Sequence, residues 1–217
     1  MAVSIHRISR SAVAVAFIFL LGPQSWAFAQ KGAKISIAGY PSMKKGSPEL
    51  VFVEVSDFQC PYCRQGARDV LPHVVEKFVD TGKVELVYLA MPLQMHSQAF
   101  RAAQVAACAD DQKKFWDMHH FLFMDRGDFA PAQISGYAGE LGLDMPAFQK
   151  CLSSGRHDGE IRKSIRVAQN LGIHSTPVYL LGRRIPGGDK VQILEVVKGA
   201  WPYEDFEKKL DGLLASK

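Results

Sequence analysis

The feature that most constrains this chain is Cys60-Pro61-Tyr62-Cys63, two cysteines three residues apart where an apolar run gives way to a helical pattern. Residues 50–55 are apolar except for Glu54, as in a short strand buried on both faces. Pro61 suits the first turn of a helix, where its missing N–H costs nothing. Cys60 then lies at the helix N-terminus, where unpaired N–H groups and the helix dipole favour negative charge. A thiol so placed has a lowered pKa and a populated thiolate near neutral pH. Cys63 follows about one turn later, so the two sulfurs can close a small disulfide ring, and the chemistry implied is dithiol–disulfide exchange. Zinc sites share this spacing but usually add a second close Cys or His pair, and soft-metal carriers place it on a loop of a smaller domain. Here Cys108 and Cys151 are isolated and far apart, and the context favours redox chemistry over metal binding or an inert disulfide.

The 217 residues, 47% of them hydrophobic, fit one globular domain with a sizeable core. Residues 1–29 read as a signal peptide. Arg7 and Arg10 precede an apolar run over residues 12–21, and Ala27-Phe28-Ala29 offers a cleavage site before Gln30. That run is too short for a span, which needs roughly 20 apolar residues. An exported chain starting near Gln30 would carry its cysteines into an oxidising compartment. Its formal charge would fall from +4 to +2, a balance that points to neither nucleic acid nor a membrane surface as partner.

Along the mature chain the pattern predicts an edge strand over residues 35–38, a Gly/Pro/Lys-rich loop, and the strand over 50–55. A helix follows over about 61–79, with Pro72 expected to kink it, and then a strand over 84–90. This strand–helix–strand unit calls for a right-handed crossover between parallel strands. Residues 97–171 are wholly helical in pattern, with helices starting near Ser97, Asp111, Pro131 and Asp144 and a last one marked by Ile161, Ile165 and Ala168. Strands over 178–181 and 196–199 and a helix over 202–214 close the chain. Residues 182–194 read as a long polar connection between the two strands.

The assembled pattern resembles the DsbA-like thiol–disulfide oxidoreductases of the thioredoxin superfamily. The resemblance rests on Glu54, Asp57-Phe58-Gln59-Cys60-Pro61-Tyr62-Cys63, the helical block, Gly172 with Ser175-Thr176-Pro177, and Gly199-Ala200-Trp201-Pro202-Tyr203. It implies an α/β thioredoxin fold with an inserted all-helical domain. The core would span residues 49–96 and 172–217, the insertion residues 97–171, and residues 30–48 would form an N-terminal strand and loop.

By position, Cys60 resembles the exposed nucleophile, Cys63 the buried resolving cysteine and Pro177 a cis-proline facing the disulfide, while Thr176 would offer its backbone to an extended substrate. Glu54 matches a buried acid beneath the cysteines, where desolvation raises a carboxyl pKa and permits proton exchange with Cys63. Tyr62 stands where strongly oxidising members often carry His, so a less acidic Cys60 is expected. The isomerases of the compartment carry an N-terminal dimerisation domain for which residues 30–48 leave no room.

The preferred reading is an oxidase acting on newly exported cysteine-containing proteins, without a cofactor and, by resemblance, reoxidised by a quinone-linked membrane partner; relatives with Pro61-Tyr62 between the cysteines include isomerase-type and reductase-type enzymes. The alternatives are a reductase or isomerase kept reduced by a membrane donor, and a non-enzymatic thiolate metal carrier. Cys108 and Cys151 fall on helices of the inserted block, where export favours a structural disulfide over two buried free thiols or a second redox pair. The histidines suggest no metal site: His119-His120 straddle a helical core face, His96 and His157 sit at helix starts, and only His174 is placed near the thiols. Lys44-Lys45 and Arg183-Arg184 read as solvated pairs.

Overall fold

The computed structural model describes residues 31–124 and 129–216, together with Met1. The signal peptide expected over residues 1–29 and its cleavage point near Gln30 lie outside the described residues. The strands are β1 (Lys34–Ser36), β2 (Ser42–Met43), β3 (Leu50–Ser56), β4 (Val84–Ala90), β5 (Val178–Arg184) and β6 (Lys190–Lys198), in one sheet of order β1-β6-β5-β3-β4-β2. β3 and β4 run parallel, as the crossover requires, and the remaining pairs are antiparallel. Every residue of β3 is buried, which explains its near-continuous apolar run.

Alternation along β3 divides the core. Val51, Val53 and Val55 join Leu89, Leu180 and Ala168 on one face. Leu50 and Phe52 join Val74, Phe78 and Phe206 on the other. That second face is covered by α1 (Pro61–Asp69), α2 (Leu71–Val74) and the C-terminal helix, α8 (Tyr203–Ala215). Val70 separates the first two helices, and Pro72 occupies the first turn of α2, so the helical run expected over 61–79 is interrupted just before the proline. A π-helical turn over Val75–Val79 completes the crossover.

Between β4 and β5 lie α3 (Ala99–Asp110), α4 (Phe115–Met124), α5 (Pro131–Glu140), α6 (Met145–Ser154) and α7 (Asp158–Asn170). Their boundaries follow local chemistry. Pro131 opens α5, the Asp144 carboxylate caps α6 by accepting from the Ala147 N–H at 2.9 Å, and Gly155 ends α6 at a φ of +62°. Helix α4 begins four residues later than the sequence pattern implies, because residues 111–113 form a turn in which Lys113 has a φ of +62°. Most of α3 to α6 packs around its own apolar cluster, with Phe115, Met118, Leu122, Phe123 and Phe148 buried. Phe58 and Tyr88 connect that cluster to the sheet.

Three expectations need correction. Residues 182–194 are a hairpin rather than a long loop, with β5 reaching Arg184 and β6 starting at Lys190. The polar look of this stretch comes from strict alternation, Lys190 and Gln192 outward and Val191 and Ile193 inward. The register shifts between Leu181 and Gly182, where a Cβ would meet Val191 Cγ1 at 2.5 Å and the Gln192 carbonyl oxygen at 2.6 Å. The basic pairs are not simply solvated. Arg184 is ion-paired with Glu85, which is 3% exposed, Lys44 lies 3.4 Å from the same carboxylate, and Arg183 pairs with Glu49 at 3.2 Å. Finally, the loop before β3 contributes β2, which pairs with β4. No described helix is long and apolar enough to cross a membrane.

Cys108 of α3 and Cys151 of α6 are joined in a disulfide across a sequence separation of 43. Closing a loop of that length stabilises the fold by up to about 4 kcal/mol in the chain-entropy model. Replacing both cysteines by alanine is therefore expected to lower the unfolding free energy by about 2–4 kcal/mol, read from the urea midpoint.

Candidate functional site: a dithiol at a helix N-terminus

Strand β3 ends at Ser56, and residues 57–59 turn the chain into α1, so that Cys60 is the N-cap of α1 with Pro61 in the first turn. The turn is fastened by Asp57, which is 1% exposed. Its Oδ1 accepts from the Gln59 N–H at 2.8 Å, and its Oδ2 accepts from the Leu93 N–H at 2.8 Å and meets His96 Nδ1 at 2.7 Å. The Gln98 N–H donates to Gln59 Oε1 at 2.9 Å, so the segment after β4 is tied to the turn at three points. In the sequence Asp57 carries no evident role and His96 reads as a helix start. A carboxylate two residues before an N–H it can accept from is the signal that identifies such a turn.

Cys60 and Cys63 are both free thiols and both largely covered, with 4% and 0% of their surface exposed. The expected contrast of an exposed and a buried cysteine is thus narrower than the resemblance implied. The chemical contrast is wide. Hydrogen bonding from the Cys63 thiol is the largest influence that lowers the Cys60 pKa, against an opposing effect of burial. Thr176 and the backbone N–H groups of Cys63 and Tyr62 add to it, and the result is about 5. Burial first, then the hydrogen bond to Cys60 and the charge of its thiolate, push the Cys63 thiol well up. The Asp57 N–H points at Cys63 Sγ from 3.5 Å. Tyr62 acts through its amide, since its side chain is 62% exposed and stands in solvent. The phenol in place of an imidazole therefore leaves Cys60 acidic.

The Thr176–Pro177 bond is cis, and the Thr176 carbonyl lies 3.6 Å from Cys60 Sγ. The Pro177 carbonyl accepts from the Gly199 N–H at 2.8 Å, which anchors this loop to the end of β6. Trp201, in the following residues, is 41% exposed. His174 is exposed three residues before Pro177.

Glu54 is fully buried in the row that crosses the sheet centre, opposite Tyr88 on β4 and Tyr179 on β5. Burial, reinforced by the charge of Glu54 and then of Cys63, pushes both phenols well above their ordinary pKa. The carboxylate and the inner thiol therefore both act on the two phenols. Glu54 Oε2 lies 3.2 Å from Nε2 of His119, which is 5% exposed on α4 among Phe58, Tyr88 and Phe123. Glu54 Oε1 has no hydrogen-bond partner among the described residues. The sequence marked His119 only as part of a helical core face. Its pairing with an acid 65 residues earlier is a tertiary contact that no local pattern announces. Gly66 lets α1 settle over this row, since a Cβ there would collide with the Tyr179 hydroxyl.

Metal-ligand side chains gather at one other place among the described residues, where Cys108, Asp111, Cys151 and His157 have donor atoms within 4.8 Å of one another. The two sulfurs are bonded to each other, and Asp111 already meets His157 Nε2 at 2.9 Å and is ion-paired with Arg156.

The site makes a specific acid–base prediction. In the reduced protein, thiolate absorbance is expected to appear with a midpoint near pH 5, to vanish in Cys60→Ala, and to move little in Tyr62→Phe. Because the folded pKa is depressed, the thiolate stabilises the reduced form fully above the unfolded thiol pKa of about 8.5. That contribution is lost as pH falls through about 5. Reduced and oxidised proteins compared by urea unfolding between these pH values should show the reduced form losing stability relative to the oxidised form as pH falls.

Comparison with known proteins places this geometry. A family model described as thioredoxin matches residues 44–197. The chain is 30% identical over 153 residues to a probable disulfide bond formation protein D of Bacillus anthracis, covering 65% of this chain and 69% of that one. It is also 35% identical over 147 residues to a Na(+)/H(+) antiporter NhaA 1 of Salinispora arenicola, and there it spans about a fifth (22%) of the relative's length. Among solved structures it superposes on alpha-DsbA1 of Wolbachia pipientis with a TM-score of 0.70 and 20% identity, over 82% of this chain and 92% of that one. That likeness carries the fold, a thioredoxin sheet with a helical insertion. On the family match and the Bacillus relative together, the chain belongs to the DsbA-like thiol–disulfide oxidoreductases of the thioredoxin family.

Proposed function

We propose that the protein is an exported dithiol oxidase that passes the Cys60–Cys63 disulfide to cysteine-containing proteins outside the cytoplasm, in the periplasm. The observation that carries this reading is the Cys60 thiol, held at a pKa of about 5 by the Cys63 thiol and the amides at the start of α1. A stabilised thiolate favours the reduced enzyme, and a dithiol whose reduced form is favoured is an oxidant of other thiols.

The steps follow from the two pKa values. A substrate thiolate attacks Cys60 Sγ in the oxidised enzyme, forming a mixed disulfide while the Cys60–Cys63 bond breaks. Cys63 departs with the electron pair. Its raised pKa means that it takes a proton, and the buried Glu54, with one oxygen that has no hydrogen-bond partner among the described residues and His119 against the other, is the group we assign to relay that proton. A second substrate thiolate then attacks the substrate sulfur of the mixed disulfide. Cys60 leaves as a thiolate, the better leaving group of the two, and the enzyme ends two electrons reduced. The Thr176 carbonyl beside Cys60 is an acceptor for the substrate backbone during this exchange. Regeneration requires an electron acceptor, in this reading a quinone-linked membrane partner.

The reductase or isomerase alternative turns on Tyr62, which is largely exposed and acts on Cys60 through its amide, so the oxidase is preferred. Cys60→Ser is expected to abolish oxidation of a reduced model peptide, whereas Cys63→Ser should accumulate mixed disulfides at Cys60, seen by mass spectrometry without reductant. Full oxidase activity in the Cys60 variant would sink the reading.

A further inference from the structure

A groove of about 790 Å³ opens beside the thiols, between the segment after β4 and one face of α7, and the exchange steps above do not use it. It is continuous with the site. Leu93 and His96, which line it, both contact Asp57, and His174, which also lines it, precedes Thr176-Pro177 by two residues. Its floor is apolar, with Phe100 and Ile165, and Met95 stands 82% exposed above it. Methionine at such a surface adapts to differing side chains.

The charge of the groove has one sign. Arg162 and Arg166 line it, and no Asp or Glu does among the described residues. Arg162 lies over the Phe100 ring at 5.0 Å. The arginines that find carboxylates are Arg68, Arg156, Arg183 and Arg184, and the two groove arginines are not among them. Acids at the start of the same helix are committed elsewhere, Asp158 to the Gln104 amide at 2.6 Å and Glu160 to His157 at 2.8 Å. Like charges at i and i+4 on a helix repel, so Arg162 and Arg166, one turn apart, disfavour each other slightly. A concave surface of one sign also concentrates its field and steers oppositely charged partners.

We infer that this groove seats the stretch of substrate polypeptide next to the reacting cysteine and selects for acidic residues in that stretch, paired with Arg162 and Arg166. The inference rests on the thiol–disulfide exchange reading above and adds a substrate preference to it.

The test uses the full chain in its oxidised form and three reduced dicysteine peptides identical except for a pair of Glu, Gln or Lys residues about four positions from one cysteine, a distance of roughly 13 Å in extended chain. Dithiothreitol, too small to fill the groove, is the reference reductant. The Glu peptide should reduce Cys60–Cys63 about 10-fold faster than the Gln peptide at low ionic strength, an advantage that shrinks in high salt. In R162Q/R166Q the advantage should disappear while the dithiothreitol rate is unchanged. The charge-reversed R162E/R166E should prefer the Lys peptide, a gain that misfolding does not mimic. Equal rates for Glu and Gln peptides, or a Glu advantage that survives R162Q/R166Q, would overturn the inference while leaving the exchange reading intact. A chain that exchanges with neither peptides nor dithiothreitol would instead overturn the exchange reading, and this inference with it.

Discussion

The structure depends on a single electrostatic arrangement, a sulfur held where backbone N–H groups converge and where its partner thiol donates to it. The N-terminus of α1 supplies the amides, and Pro61 removes a donor that would have had no helical partner. Cys63 supplies the hydrogen bond that matters most to Cys60, and burial keeps Cys63 itself protonated. The two thiols are therefore unequal although both are covered. One is ready to leave or attack as an anion, and the other needs a proton before it can rest. Asp57 fixes the turn that creates this asymmetry, with both carboxylate oxygens engaged.

Beneath the thiols, the sheet carries a polar row through an apolar interior. Glu54 between Tyr88 and Tyr179 would be an expensive insertion if it served only packing, since a buried acid is disfavoured unless paired. Its pairing with His119 brings α4 of the helical block into the chemistry of the sheet. The insertion is then more than a cover, because it contributes His119 as the partner of the buried Glu54. It also carries α7, whose arginines border the groove beside the site, so two separate helices of the block shape what the dithiol meets.

Much of the fold was legible because its signals are local. The apolar run of β3, Pro61 and Pro131 at helix starts, Asp144 as a cap and glycines as stops all act within a few residues of themselves. The thiol site was legible for the same reason, since strand, proline and two cysteines are consecutive. What escaped was set by tertiary partners. Residues 190–193 look like loop because their outward side chains are long and polar, and only the pairing with β5 reveals the strand. Arg184 looks solvated until Glu85 is brought beside it from 99 residues away. His96 and His119 read as ordinary helix residues, yet one anchors Asp57 and the other faces Glu54. Tyr62 misled in the opposite sense, because the identity of its side chain drew notice while its amide does the stabilising.

The claim that joins these features is that stabilisation of the Cys60 thiolate makes the Cys60–Cys63 disulfide oxidising. The most direct measurement is its reduction potential, from equilibration in glutathione buffers with Cys108–Cys151 followed separately. The account predicts a potential less negative than about −200 mV, above the range of cytosolic glutathione and thioredoxin. A potential at or below that value would contradict it, and would mean that the thiolate, however acidic, does not favour the reduced protein enough to drive disulfides into others.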